Sequence, residues 1–245
     1  MLTSAPLQRR LFLVAASAFA LSACGGIVGP PEAGTIYTLR PAFPPAPAGE
    51  KVNWSLSLLR PNVPGGLNSD RIGLVQPGGT QDFYANATWP DRLPPIIQRA
   101  ALEGFAASGR IDAVAVEQDA LHADYNLLLD VRDFEARYAQ QDGIPEALVT
   151  INAKLTTAHG RKIIASFDTV QRQPAGANSA AAAAQALTLA LGAAITAIVN
   201  WTLATAPAVV PGQSPETASP GKPAEQLLRE TTRGSNRLRD TPPPR

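Results

Sequence analysis

Three segments between residues 123 and 171 alternate apolar and polar side chains with a period of two. That period places one set of side chains on each face of a β-strand, so each segment predicts a strand with one buried face. The segments are 123–132, 149–156 and 162–171. His159-Gly160, between the last two, predicts a tight hairpin turn. The buried faces of these strands need a second layer of structure to cover them.

Shorter strands are predicted before these three, bounded by residues typical of turns. The clearest begins at Val52, where Trp54, Leu56 and Leu58 alternate with polar residues, and Pro61 ends it. The other predicted short strands are Thr35 to Leu39, Arg71 to Val75 before the Pro77-Gly78-Gly79 turn, Gln81 to Ala85, and Ile111 to Val116.

Two helices are predicted. The first has Asp91 as its N-cap, Pro94 or Pro95 in its first turn and Gly109 as its stop. The second covers the alanine-rich, uncharged residues 178–204, with Asn178-Ser179 as its cap. Its length invites interpretation as a membrane span, but alanine is weakly apolar and polar residues interrupt the run. A stripe at helical spacing favours a helix packed on the sheet: Leu187, Leu191, Ile195, Ile198 and Thr202.

Composition excludes several classes of function. The formal net charge is +1 and only 17% of residues are charged, which disfavours a nucleic-acid-binding protein. The single cysteine excludes an intramolecular disulfide and a cysteine-rich metal cluster. His122 and His159 lie far apart, in no metal-ligand spacing, so no metal site and no cofactor is expected.

The N-terminus has the order of a bacterial lipoprotein signal. Arg9 and Arg10 precede a short apolar run, which ends at Leu21-Ser22-Ala23-Cys24. That sequence looks like the lipobox of the lipoprotein-processing enzymes, with cleavage before Cys24. The alternative is an ordinary secretory peptide with an incidental cysteine nearby. On the first interpretation Cys24 is the lipid attachment site, carrying a diacylglycerol and, on the new amino terminus, an acyl chain such as palmitate.

Two or three acyl chains anchor a protein durably, so no membrane-spanning helix is needed. Gly25 and Gly26 follow the cysteine, whereas lipoproteins held in the inner membrane typically carry an aspartate directly after it. The expected location is therefore the periplasmic face of the outer membrane.

These features divide the chain into four parts. Residues 1–23 are the predicted signal peptide, and residues 24–50 are a lipidated spacer rich in Pro and Gly with one short strand. Residues 51–204 form the predicted α/β domain. Residues 205–245, rich in Pro, Ala and Ser, are predicted to be a disordered tail.

The order of strands and helices behind a lipobox resembles the family of ABC-type transport auxiliary lipoproteins, the PqiC-like lipoproteins. The residues that carry the resemblance are Ile36-Tyr37-Thr38-Leu39, Arg71-Ile72, Phe83-Tyr84 through Trp89, Leu93-Pro94, Gly109-Arg110 and Ala123 through Leu127. The resemblance implies an α+β sandwich, a mixed and largely antiparallel sheet covered by two helices. It brings no catalytic residues.

The resemblance also implies a function. Members accompany transporters whose ATPase and permease work with a periplasmic MCE protein to move lipids between the two membranes. The implied partners are these proteins and the membrane itself, and the Ala-rich helix would allow homo-oligomers. Tyr84 and Trp89 are candidate partner-binding residues, with core packing at the sheet edge as the alternative.

Three other functions stay open at this stage. One is a purely structural tether, which would bind peptidoglycan rather than a transporter; the others are an enzyme and an envelope-assembly lipoprotein. An enzyme is disfavoured because the nucleophile-elbow, phosphate-loop and zinc-protease motifs are absent from the sequence. Asp124, Asp130 and Asp133 cluster along one predicted strand, where solvation suffices to explain them. An envelope-assembly lipoprotein, serving lipopolysaccharide or outer-membrane protein biogenesis without a dedicated ABC transporter, would share the anchor and the domain.

Overall fold

The computed structural model describes residues 34–44, 49–119, 122–159 and 162–208. Its centre is an antiparallel run of three long strands, β6 (Tyr125–Arg137), β7 (Glu146–Thr157) and β8 (Ile163–Pro174). These are the three segments with a period of two. Each strand is longer than predicted, although β6 begins two residues later than predicted and β8 one residue later. The predicted signal peptide, Cys24 and Gly160, and all of the predicted tail after residue 208, lie outside the described residues.

The shorter strands are β1 (Thr35–Ile36), β2 (Leu56–Leu58), β3 (Arg71–Val75), β4 (Gln81–Thr88) and β5 (Val114–Val116). β2 and β3 both pair with the edge of β6 that β7 leaves free, β2 near the start of β6 and β3 near its end. β5 pairs with the other side of β2, and β4 with the other side of β3. The described part of the sheet therefore contains eight strands, with β6 at its centre.

The sheet is mixed, and the expectation of a largely antiparallel sheet is wrong in this respect. β2 runs parallel to both β5 and β6, and β3 runs parallel to β6. Parallel neighbours need a crossover connection, and the chain between β2 and β5 contains a helix that provides one. β3–β4, β6–β7 and β7–β8 pair in the antiparallel sense.

The helix α1 (Leu93–Ser108) has Arg92 rather than Asp91 as its N-cap, and Pro94 and Pro95 lie in its first turn. Gly109 ends it in the left-handed conformation, with a φ of 64° that suits a residue without a side chain. Ile97, Ala101 and Phe105, which share one face, are almost completely buried.

The helix α2 (Ala180–Thr205) begins at the predicted cap, where the Ser179 side chain accepts a hydrogen bond from the Ala182 amide. It is the one helix among the described residues that is long and apolar enough to cross a membrane. Here it packs on the sheet instead, since all members of its predicted stripe, from Leu187 to Thr202, are fully buried. It contacts β6, β7 and β8, and it also contacts α1, so both helices cover the same face of the sheet.

Candidate functional site

Residues 37–44, here called the strap, lie across the outer surface of the two helices. The strap starts beside β4, where the Tyr37 amide donates a hydrogen bond to the Thr88 carbonyl at 2.8 Å. Leu39 and Pro41 are buried, and Phe43 is half-buried against the core. Alternate residues therefore hold the strap down, while the exposed residues between them face outward.

Two glycines on the helices permit this close packing. A Cβ on Gly104 of α1 would lie 2.6 Å from Ile195 Cγ2 and 3.3 Å from Phe43 Cε1. A Cβ on Gly192 of α2 would lie 3.1 Å from Pro41 Cβ. Gly104 thus lets α2 approach α1, and Gly192 lets the strap lie close against α2.

A groove lies on each side of the strap. The α1 groove, of about 550 Å³, is lined by Thr38, Leu39, Arg40, Pro90, Asp91, Pro95, Ile96, Arg99, Ala100 and Glu103. The α2 groove, of about 650 Å³, is lined by Arg40, Ala42, Pro44, Thr188, Leu189, Gly192, Ala193, Thr196, Ala197 and Asn200. The α1 groove carries charges of both signs, whereas the α2 groove is mostly apolar and has one charged residue.

Arg40 lines both grooves. Its side chain makes no ion pair or hydrogen bond with any residue that the structure describes. A guanidinium presents donors in a planar fork that suits a carboxylate or a phosphate. The strap therefore places an available anion-binding group between the grooves.

The candidate partner-binding residues Tyr84 and Trp89 have different environments. Trp89 is only 3% exposed, and its ring packs edge-on against Phe134 at a centroid distance of 6.2 Å. Tyr84 is half-buried. Trp89 is therefore a core residue, which was the alternative to a partner-binding role. Tyr84 remains partly accessible.

Tyr84 begins a chain of hydrogen bonds that reaches the start of α2. Its hydroxyl lies 2.8 Å from that of Tyr138, which in turn donates to Asn178 Oδ1 at 2.8 Å. Because Tyr138 has one hydroxyl proton, Tyr84 is the donor in the first bond. Burial, and secondarily the bond to Tyr138, raises the pKa of Tyr84 well above its usual range.

The aspartates that cluster on β6 and just before it have structural partners. Asp124 Oδ2 accepts hydrogen bonds from the Ser55 amide at 2.8 Å and from its hydroxyl at 2.7 Å. Asp130 accepts from Asn62, and Asp133 pairs with Arg137. His122 and His159 are exposed, and no metal-binding group of residues occurs in the part of the chain that the structure describes. Cys24 lies outside that part.

A family model for the ABC-type transport auxiliary lipoprotein component matches residues 37–199, from the first residue of the strap to within α2. The chain belongs to this family. The part that matches this auxiliary lipoprotein family is 163 residues long, two thirds of the chain. It includes the strap, α1 and most of α2.

Solved structures support the same architecture. Protein XCC0632 from Xanthomonas campestris, of family DUF330, is 32% identical, with a TM-score of 0.65 over 70% of this chain and 95% of that chain. An uncharacterized protein of known structure is 13% identical, with a TM-score of 0.55 over 69% of this chain and 99% of that one. The second likeness concerns the fold alone.

Among curated proteins, the uncharacterized protein bll6063 from Bradyrhizobium diazoefficiens is similar to this chain. It is 26% identical over 175 residues, which cover 71% of this chain and 46% of that protein. The chain therefore spans less than half the length of this relative.

Sequence reasoning did not find the strap or its grooves. Residues 35–39 were predicted as a short strand within a spacer, but only Thr35–Ile36, directly before the strap, form β1. The α1 groove joins residues 38–40 to residues 90–103, and the α2 groove joins residues 40–44 to residues 188–200. No local pattern connects segments so far apart. One signal for the strap is present in the sequence: Leu39, Pro41 and Phe43 occupy every second position. These are the residues that pack against the helices.

Proposed function

We propose that this auxiliary lipoprotein is anchored through Cys24 to the periplasmic face of the outer membrane. There it serves an ABC transporter with an MCE-domain protein that moves lipids between the inner and outer membranes. Its role is to bind partners, and it catalyses no reaction. Family membership over residues 37–199 is the observation that carries the proposal, because it links the chain to ABC-type transport.

The lipobox-like sequence at the N-terminus supports the anchored part of the proposal. Leu21-Ser22-Ala23-Cys24 follows a charged and then an apolar segment, and glycines follow the cysteine. An anchor there leaves the residues before β1 as a connection to the domain. That connection is 10 residues long from Gly25 to Gly34, about 31 Å when extended at about 3.1 Å per residue.

The surface of the domain supports a binding role. Two grooves of several hundred Å³ flank the strap, and such volumes are typical of ligand sites in proteins. The carboxylates that could have served an enzyme are instead bound to Ser55, Asn62 and Arg137. These observations favour a component that holds other molecules.

An affinity pull-down of the tagged, full-length lipoprotein from detergent-solubilised envelopes tests the proposal. We expect mass spectrometry to identify an MCE-domain protein together with an ATPase and a permease. A pull-down from cells expressing the untagged chain is the control. Recovery of outer-membrane assembly factors alone would contradict the proposal and favour an envelope-assembly lipoprotein.

The neighbouring genes provide an independent test of the same choice. Genes for an ATPase, a permease and an MCE protein are expected beside the gene for this chain if it serves a transporter. An envelope-assembly lipoprotein predicts none of the three.

A further inference from the structure

We propose that the α2 groove binds one acyl chain of an anionic lipid, with the acidic headgroup held by the Arg40 guanidinium. The inference rests on the proposed function, since it makes the transported lipid a ligand of this chain. It assigns the site to the face between the strap and α2, away from the candidate residues Tyr84 and Trp89.

The lining of the α2 groove is suited to an acyl chain. Leu189 is 54% exposed, which is unusual for a leucine in a helix that is otherwise well packed. Ala193 and Ala197 follow it on the same face of the helix at intervals of four residues, and Ala42 and Pro44 of the strap lie opposite. An acyl chain there would cover apolar surface that water now contacts.

The two threonines of the groove do not make it more polar. The Thr188 hydroxyl donates to the Ala184 carbonyl, and the Thr196 hydroxyl donates to the Gly192 carbonyl, each at 2.8 Å. Their donors are thus satisfied within the helix. The methyl group is the remaining part of each side chain.

Two polar side chains of the groove remain available to a ligand. Neither the Arg40 nor the Asn200 side chain makes a hydrogen bond or an ion pair with another residue of the described ranges. Arg40 carries the one formal charge in the lining, and it is positive. An apolar floor with a single cation matches an apolar chain with an acidic headgroup in both shape and charge.

The size of the groove favours a lipid over a protein segment. About 650 Å³ lies within the range of small-molecule sites, and the groove is bounded by three residues of the strap and three to four turns of one helix. A helix from a partner would need a groove between two elements along several of its own turns. Among the described residues, α2 is the one helix that lines the groove, and the strap contributes Arg40, Ala42 and Pro44 on the other side.

Photo-crosslinking of the mature, full-length lipoprotein in vesicles tests the proposal. The probe is a phosphatidylglycerol with a photoreactive acyl chain, compared with the matching phosphatidylcholine. We expect the anionic probe to label the peptide that contains residues 189–200. Labelling confined to other parts of the chain, or equal labelling by both probes, would overturn the proposal.

Substitutions with matched controls test the two parts of the site. Arg40→Gln should weaken binding of the anionic probe about tenfold, the loss typical of a hydrogen bond to a charged group, while Arg60→Gln should have no effect. Leu189→Glu should abolish labelling, while Ile144→Glu, at a residue exposed to a similar extent, should preserve it. Normal labelling in Leu189→Glu would contradict an acyl-chain site here.

The lipid attached to the chain itself is the competing occupant. If it fills the groove, the mature protein excludes the probe and unlipidated Cys24→Ser binds it, and that result would overturn the proposal. The pull-down separates this failure from that of the proposed function. If Leu189→Glu still recovers the transporter but no longer binds the probe, the result supports a lipid site within the proposed role. If the wild type binds the probe but recovers no transporter protein, the result contradicts the proposed role and leaves the lipid site in place.

Discussion

The hydroxyl oxygens of Tyr84 and Tyr138 lie 2.8 Å apart and join the β3–β4 hairpin to the segment after β6. Tyr138 passes the connection to Asn178, which in turn donates through its amide nitrogen to the Asp142 carbonyl at 3.1 Å. Asn178 directly precedes the cap of α2. Three segments distant in sequence, the β3–β4 hairpin, residues 138–142 and the start of α2, are thus held together.

Removing either phenol hydroxyl tests this connection. Tyr84→Phe removes one donor, and we expect it to lower the free energy of unfolding by about 1 kcal/mol. Tyr138→Phe leaves both Tyr84 and Asn178 without their partner, so a loss of about 2 kcal/mol is expected. Urea unfolding followed by circular dichroism measures both. Tyr37→Phe, whose hydroxyl has no hydrogen bond within the described residues, is the control and should be neutral.

The same tyrosine predicts how stability depends on pH. The raised pKa of Tyr84 favours the protonated phenol in the folded chain. Its contribution is therefore complete below pH 10.0, the ordinary pKa, and is lost as the pH rises above that value. We expect stability above pH 10.0 to fall more steeply in the wild type than in Tyr84→Phe. Equal slopes in thermal melts across this range would contradict the assignment.

Gly104 predicts a cost for a single methyl group. Gly104→Ala places a Cβ 2.6 Å from Ile195 Cγ2, which is too close, so α1 and α2 must separate. We expect a loss of about 1–3 kcal/mol in the free energy of unfolding, typical of an overpacked core. Gly176→Ala is the matched control, because nothing lies within 4 Å of its Cβ. It should be neutral or slightly stabilising, through reduced entropy of the unfolded chain.

The anchor predicts a change in location. Cys24→Ser removes the sulfur that we propose carries the lipid, so the chain should leave the membrane fraction and appear in the soluble periplasmic fraction. Gly25→Ala retains the sulfur and should stay in the outer-membrane fraction. Persistence of Cys24→Ser in the membrane fraction, shown by immunoblotting, would contradict lipidation at this residue.

Sorting is tested by the residue after the cysteine. Gly25→Asp places an aspartate where lipoproteins of the inner membrane typically carry one. We expect this variant to move from the outer to the inner membrane in a density gradient. An unchanged gradient position would contradict the expected sorting rule for this chain.

The sequence predicted those elements whose signal is local. The limits of β3 are the predicted ones, and the caps at Ser179 and Gly109 are confirmed. The prediction ended β6 too early. A bulge between Val131 and Asp133 interrupts the alternation, and Phe134, Glu135 and Ala136 beyond it are buried in succession. A period of two cannot continue through such a shift.

The remaining features depend on contacts between distant segments. Alternation identifies β2 and β3 as strands, but it carries no information on direction, so their parallel pairing with β6 was not predicted. Trp54 is buried, as its place in the predicted strand from Val52 required, but β2 begins only at Leu56. Trp54 is instead held by an edge-on contact with Tyr125. The α2 groove needs Arg40 and Asn200 on one surface, and only the folded helix pair brings them together.

The strap also determines how the domain bears mechanical load. A pull on the chain from its N-terminal side reaches β1 first, and then Tyr37, Leu39, Pro41 and Phe43 in that order. Each contact must break in turn, which is the peeling geometry in which bonds fail one at a time at low force. Because Arg40, Ala42 and Pro44 would lift with the strap, tension would dismantle both grooves while the sheet, joined by long ladders of strand pairing, stayed intact.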